Sequence, residues 1–284
     1  MKNSLLAETA NLKLAWTSKT QERLRTYLVE GIQDPRTNIQ SVLTRHFLIT
    51  QIFGSQFVEL KERELQHVMR LNAERVAGRQ SSERDKDEFR KRWVNTLAPY
   101  NGDWDSISVL ECACGSANDY RFWDAYGITP FIEYKGFDIV KVNVANALEM
   151  FPGVQFECGN IFDIQEKDRS FDYVVVFDLF EHLSLEGLET AVREVCRVAR
   201  HGLVLNFFNV SNIARHVSNP VPERHYHWNT LSLSQISDSF AAHVRKVEAV
   251  NIHRLLCSKY GSERLYDSFL DDVNQNLITF YLEK

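Results

Sequence analysis

Apolar positions in the first hundred residues recur every three or four places, the period of a helix with one buried face. Ser18-x-x-Gln21 has the spacing of a capping box, and Leu24, Tyr27, Leu28 and Ile32 follow it. Asp34-Pro35 opens a second helix, because the missing N–H of proline costs nothing in a first turn. Its stripe is Ile39, Val42, Leu43, Phe47, Ile49 and Ile52, with Gly54 placed to end it. Ser55 starts a third helix through Leu60, Leu65, Val68, Met69 and Val76 to Gly78. A fourth begins near Ser82, carries Phe89, Trp93 and Leu97, and stops before Pro99. No strand-like alternation interrupts these helices.

From Ile107 the pattern changes to short apolar runs separated by helical segments. The runs are Ile107–Glu111, Tyr134–Asp138, Val154–Cys158, Phe171–Phe177 and Gly202–Phe207. The helical segments between them carry Tyr120, Phe122 and Trp123; Val142, Val144, Ala147 and Leu148; and Leu188, Ala191, Val192 and Val195. Strands alternating with helices predict a parallel sheet covered on both faces, with ligands bound at the carboxyl ends of the strands. Phe171–Phe177 is apolar at nearly every position, as a central strand is. Ser232-x-x-Gln235 is a further capping box, opening a helix with Leu233, Ile236 and Phe240. Val244–His253 and Leu277–Leu282 read as strands that pair antiparallel and close one edge.

Charge and glycine divide the chain at the same place. Residues 1–100 hold 17 bases and 12 acids, the remainder 16 bases and 26 acids, and nine of the 12 glycines follow residue 100. Two units are therefore predicted: a helical accessory region over 1–98 and an α/β domain over 99–284. The arginines of the front part, Arg70 to Arg92, interleave with Glu74, Glu83, Asp85, Asp87 and Glu88, which makes a solvated helix face and not a nucleic-acid surface. No apolar run approaches the roughly 18 residues of a membrane span. Glu8 interrupts the only apolar stretch near the N-terminus, and five cysteines, an odd and small number, do not make a disulfide scaffold. These features predict a cytoplasmic protein.

The order of residues in the second unit resembles the class I S-adenosylmethionine-dependent methyltransferases. Where such enzymes carry acid-x-Gly-x-Gly-x-Gly, this chain reads Glu111-Cys-Ala113-Cys-Gly115-Ser-Ala117, with two glycines replaced by alanine. Gly136-Phe-Asp138-Ile139 is similar to the second segment of the family, whose acid takes the two ribose hydroxyls of the donor. Asp138 stands 27 residues after Glu111, close to the roughly 20 expected between a glycine-rich turn and a ribose acid. Gly159-Asn160-Ile161 resembles the adenine segment. Phe177-Asp178-Leu-Phe-Glu181-His182-Leu, after a buried strand, is the most specific match. The resemblance implies a doubly wound, seven-stranded, mostly parallel Rossmann-like sheet with an N-terminal all-helical extension. It also implies S-adenosyl-L-methionine as cofactor, contacted by Glu111, Ala113, Gly115, Asp138, Ile139, Asn160, Ile161 and Phe177. Plainer readings stay open: Asp138 as a helix cap, Asn160 and Asp163 as turn residues, Cys112 and Cys114 as small buried thiols.

Methyl transfer asks an enzyme mainly for alignment, which can supply about 7–11 kcal/mol, and for removal of a proton from a hydroxyl acceptor. Histidine is the natural base at neutral pH. His182 sits where the resemblance places the donor methyl. Glu223-Arg224-His225-Tyr226-His227-Trp228 packs charge and aromatic rings where related enzymes line the acceptor pocket. His182, His225 and His227 are therefore the candidate bases, and Asp178, Arg224, Tyr226 and Trp228 the candidate acceptor contacts. The Asn/Asp-Pro-Pro-aromatic motif of nucleic-acid amino-methyltransferases is absent, since that place reads Phe177-Asp-Leu-Phe, and no Pro-Cys nucleophile exists. The expectation is transfer to an O or N atom of a small metabolite, with the front helices closing the pocket or forming a homodimer, and without metal, nucleic acid or membrane. Aminopropyl transfer on the same fold and a non-catalytic binding module are the alternatives.

Overall fold

The computed structural model describes residues 39–54, 91, 105–125, 127–222, 226–251 and 278–284. The helices expected around Ser18, Ser55 and Ser82 lie outside the described residues, as do Glu223, Arg224 and His225. Helix α1 (Ile39–Phe53) is followed by β1 (Ile107–Cys112), α2 (Asn118–Ala125), β2 (Ile132–Asp138), α3 (Lys141–Met150) and β3 (Gln155–Cys158). Next come β4 (Phe171–Phe177), α4 (Leu185–Val198) and β5 (Ala199–Phe207). Four two-residue strands follow: β6 (Val210–Ser211), β7 (Pro220–Val221), β8 (Tyr226–His227) and β9 (Leu231–Ser232). Helix α5 (Leu233–Ala241), β10 (Lys246–Asn251) and β11 (Ile278–Glu283) complete the order.

Seven strands form one sheet in the order β3-β2-β1-β4-β5-β11-β10. The first five are parallel, whereas β11 runs antiparallel to both β5 and β10. The predicted antiparallel pair is present at the sheet's edge. The order reverses between β1 and β4, and the carboxyl ends of those two strands diverge into a crevice.

The sheet buries both faces. Val174, Val176, Leu203 and Leu205 pack with α4 and α5 on one side, where Phe180, Phe207, Phe240 and Phe280 form an aromatic cluster with centroids 4.8–6.3 Å apart. Val109, Val175 and Val204 pack on the other side with Phe122, Trp123 and the α1 residues Leu48, Ile49 and Phe53. Helix α1 is thus part of the sheet's own core. Phe47 meets Tyr173 edge-on at 5.4 Å, and the Tyr173 hydroxyl donates to Gln51 at 2.9 Å. Gly54, at φ +70°, ends the helix as its sequence position suggests. Thr44, Arg45, His46, Leu48 and Ile49 are all at most 2% exposed whereas Gln51 is exposed, so the buried arc of α1 is wider than its stripe suggested.

Two local readings differ from the structure in instructive ways. The Ser232 hydroxyl does cap α5 by accepting from the Gln235 amide, but the Gln235 side chain does not reach back; its Oε1 takes the His216 amide at 2.7 Å instead. Only half of the capping box forms, because a loop donor competes for the glutamine. Gly202, read as the first residue of its strand, lies three residues inside β5, where a Cβ would stand 2.5 Å from the Leu282 carbonyl oxygen of β11. It is needed there for the close approach of the antiparallel strand. No helix among the described residues is long and apolar enough to cross a membrane.

Candidate active site

A cleft of about 250 Å3 opens at the carboxyl ends of β1, β2 and β4. Its wall includes Ala113, Gly115, Asp138, Ile139, Asn160, Ile161, Phe177, Asp178 and His182, all singled out from sequence. Glu111 is not in the wall. It lies 1% exposed behind the turn and accepts from the Tyr134 hydroxyl, and burial raises its carboxyl well above the usual range. Cys112 and Cys114 are buried thiols, pushed up by the same loss of hydration.

The turn after β1 keeps an unusual backbone. Ala113, Gly115 and Ala117 have φ of +60°, +56° and +64°, all in the left-handed region. The two alanines adopt the conformation that glycine would give at no steric cost, so the turn persists with strain stored in it. Two contacts tie it to β2: the Cys114 amide donates to the Phe137 carbonyl at 3.0 Å, and the Gly115 amide to Asp138 Oδ2 at 2.9 Å. Asp138 Oδ1 accepts from the Val140 amide at 2.7 Å and from Asn143 Nδ2 at 3.3 Å. Burial raises the Asp138 carboxyl, and these donors pull it back toward ionisation. A carboxylate has about four lone-pair sites, so Asp138, 6% exposed, retains acceptor capacity toward the cleft it lines. Asn160 closes a turn, its Oδ1 accepting from the Phe162 amide at 3.0 Å.

The opposite wall follows β4. Asp178 leaves the strand in the left-handed region, at φ +50°, with its amide on the Asn206 carbonyl at 3.0 Å. A 3-10 turn, Phe180–His182, comes next. Glu181, fully buried, accepts the Phe208 amide on Oε1 at 3.2 Å, while its Oε2 and the Oδ1 of Asp178 have no partner. Burial pushes the Glu181 carboxyl up to about 8, and burial with the nearby Glu181 and Asp119 charges raises Asp178 well above the carboxylate range.

His182 Nδ1 lies 3.0 Å from the His227 carbonyl oxygen. A carbonyl only accepts, so Nδ1 carries the proton and Nε2 holds the lone pair of the neutral ring. Burial lowers the ring's pKa, favouring that neutral form. Tyr226 and Trp228 flank it, with centroids 5.2 and 5.0 Å away. The His227 imidazole itself turns to Ser218 Oγ at 3.5 Å and does not line the cleft; this residue reaches the site through its backbone.

Asn229 escaped the sequence reading. It is fully buried, donates from Nδ2 to the Leu183 carbonyl at 2.6 Å, and accepts the Asn219 amide on Oδ1 at 3.1 Å. Its own amide donates to the Glu181 carbonyl at 2.9 Å. The β7–β8 hairpin is thereby tied to the turn bearing His182. Within His-Trp-Asn-Thr this asparagine reads as an ordinary turn residue, and nothing in its spacing marks it. Asn143 could have been found: it lies five residues beyond Asp138, on the first turn of α3. No residue of α1 lines the cleft, and no cluster of three or more His, Cys, Asp or Glu suited to a metal occurs among the described residues.

Residues 109–202 match the family model of a methyltransferase domain. No curated protein matches the chain. Among solved structures it is similar to phosphoethanolamine N-methyltransferase 2 of Haemonchus contortus, with 14% identity over 68% of this chain and 52% of that one, at a TM-score of 0.46. It is also similar to 1,6-didemethyltoxoflavin-N1-methyltransferase of Burkholderia thailandensis (10% identity, 69% and 77% coverage, TM-score 0.46). A third likeness is to a protein of Pyrococcus horikoshii (16% identity, 70% and 91% coverage, TM-score 0.43). The matched segment runs from β1 into β5 and includes every residue named in the cleft wall, so it is this part of the chain that is similar to a methyltransferase domain.

Proposed function

We propose that the protein transfers a methyl group to an O or N atom of a small-molecule acceptor bound in the β1–β2–β4 cleft. The observation that carries this reading is the pairing of the bare Gly115 turn with the buried Asp138 carboxylate at the switch point of the sheet. Asp138 would accept from the ribose hydroxyls of the donor, Ile139, Asn160 and Ile161 would border the adenine, and Ala113, Gly115 and Phe177 would border the methionine portion. When bound, S-adenosylmethionine supplies a methyl group on a positively charged sulfur that leaves neutral. The chain's part is alignment and exclusion of water, with His182 accepting a proton from the acceptor at Nε2. Glu111 supports the turn from behind through Tyr134. Among its described side chains, helix α1 packs on the sheet face and not on the cleft.

Calorimetry with S-adenosylhomocysteine tests the reading. Binding in the micromolar range is expected, and Asp138→Ala should weaken it by at least tenfold, on the scale of about 1.5–3 kcal/mol for hydrogen bonds to a charged group. Absence of heat and of any thermal shift at millimolar ligand would refute it.

A further inference from the structure

The charge of the cleft wall is one-sided. Asp119, Asp138 and Asp178 line it, with no lysine or arginine among the described residues of the lining. Asp138 is engaged by three donors, but Asp178 Oδ1 is shut off from solvent without a partner. Glu181 Oε2, fully buried three residues on, is equally unpartnered. Unpaired carboxylate oxygens in a buried place are costly, and burial has raised both acids so that the empty pair holds on to a proton. A cation brought against Asp178 removes that cost; a phosphate or carboxylate would increase it.

Beside these acids stands an aromatic ledge. His182 lines the cleft, Trp228 lies tilted against it with centroids 5.0 Å apart, and Tyr226 meets it edge-on. Trp228 is 36% exposed, so the indole keeps part of its surface open. Aromatic faces next to a carboxylate are a surface for an ammonium group, attracted by the ring quadrupole and by the charge.

Resting on the function proposed above, we infer that the acceptor is an amine, cationic in water, held between the Asp178 carboxylate and the His182–Tyr226–Trp228 rings. The ammonium gives one proton to His182 Nε2. Its freed lone pair forms the N–C bond to the methyl carbon while the C–S bond breaks and sulfur keeps the bonding pair. The proton then passes from His182 to solvent, so the reaction releases one proton per methyl transferred.

The test compares choline with its neutral carbon isostere, in which a tert-butyl group replaces the trimethylammonium, by calorimetry on the full chain saturated with S-adenosylhomocysteine. Choline should bind at least about tenfold more tightly. That preference should collapse in Asp178→Asn and shrink in Trp228→Ala, with S-adenosylhomocysteine affinity in both variants within about twofold of wild type. Equal affinity for the two probes, or binding of neither, overturns the inference while leaving the donor site standing. It is likewise overturned if the preference survives in Asp178→Asn, or if that variant loses S-adenosylhomocysteine in parallel, which would make Asp178 a donor contact. The wild-type comparison stands by itself should a variant fail to fold. Loss of S-adenosylhomocysteine binding by the wild-type chain would instead strike the proposed function.

Discussion

The turn after β1 offers a test in which one backbone conformation is probed at three adjacent sites. Ala113, Gly115 and Ala117 share a φ of about +60°. A left-handed alanine costs about 1–2 kcal/mol relative to a relaxed one. Glycine returns roughly 0.5–1 kcal/mol of that through its larger loss of entropy on folding. Ala113→Gly should therefore stabilise the protein by about 0.5–1 kcal/mol, because its methyl is only half-buried and little packing is lost. Ala117 is fully buried. Its methyl contributes about 0.8 kcal/mol of burial, so Ala117→Gly should come out near zero despite the same backbone relief. The reverse change, Gly115→Ala, puts a Cβ into space with no atom within 4 Å. Its cost is then conformational alone, about 0.5–1 kcal/mol. Equilibrium urea denaturation reads all three as midpoint shifts at constant slope. A destabilising Ala113→Gly, or an Ala117→Gly that gains as much as Ala113→Gly, would show that the turn is not strained in the way its dihedrals indicate.

Three further outcomes are expected. Glu181 has a folded pKa near 8 against roughly 4.3 unfolded, so its contribution to stability is full below the unfolded value and is lost as pH rises through 8. The melting temperature of the ligand-free protein should fall between about pH 5 and pH 9, Glu181→Gln should flatten that slope, and an unchanged slope in the variant would clear Glu181 as its source. Asn229→Ala leaves the Leu183 carbonyl and the Asn219 amide without their partner and should cost about 1–3 kcal/mol. Because Asn229 positions the hairpin, its loss should weaken acceptor binding while S-adenosylhomocysteine affinity holds, and a parallel loss of both would contradict that role. His182 titrates below its ordinary 6.5, so methyl transfer should persist at mildly acid pH and fall only below that value. His182→Ala should lower turnover and erase the acid limb; a limb that remains belongs to another group.

The five parallel strands were legible because each is a short apolar run between helical segments, a pattern set in β1, β4 and β5 by burial on both faces. Phe171–Phe177 spans the observed β4 end to end. The cleft was legible to the extent that it is built from strand ends, since Gly115, Asp138, Asn160 and Asp178 each stand at or within a few residues of the end of an apolar run. What could not be read is what depends on contact between distant segments. His227 looked like a base because its segment gathers charge and aromatic rings where related enzymes line the acceptor pocket, whereas the site uses its carbonyl, and a backbone atom leaves no trace in composition. Leu148 belongs to the predicted stripe of α3 and yet is 43% exposed, because a short helix covering a sheet edge buries less than its pattern offers.

Strain and unpaired polarity meet at one edge of the molecule. Of the non-glycine residues with left-handed backbone among those described, Ala113, Ala117, Asp178 and Asn209 follow the carboxyl ends of β1, β4 and β5, and only Arg169 lies elsewhere. The unpartnered side-chain atoms of Asp178, Glu181, Asn206 and Asn209 fall along the same edge. A fold selected for stability alone would have placed glycine at a strained, half-buried position such as that of Ala113, worth about 0.5–1 kcal/mol, and apolar side chains at the unpaired ones, worth about 1–3 kcal/mol each. The sheet core beneath, with β4 and β5 nearly solvent-free, is large enough to hold that edge in place. A bound ligand at the switch point would offset the cost of this arrangement. Three of the unpaired atoms there are acceptors and two are amide donors; the two carboxyl oxygens, the costliest to leave unpaired, are the ones that the cationic acceptor inferred above would relieve.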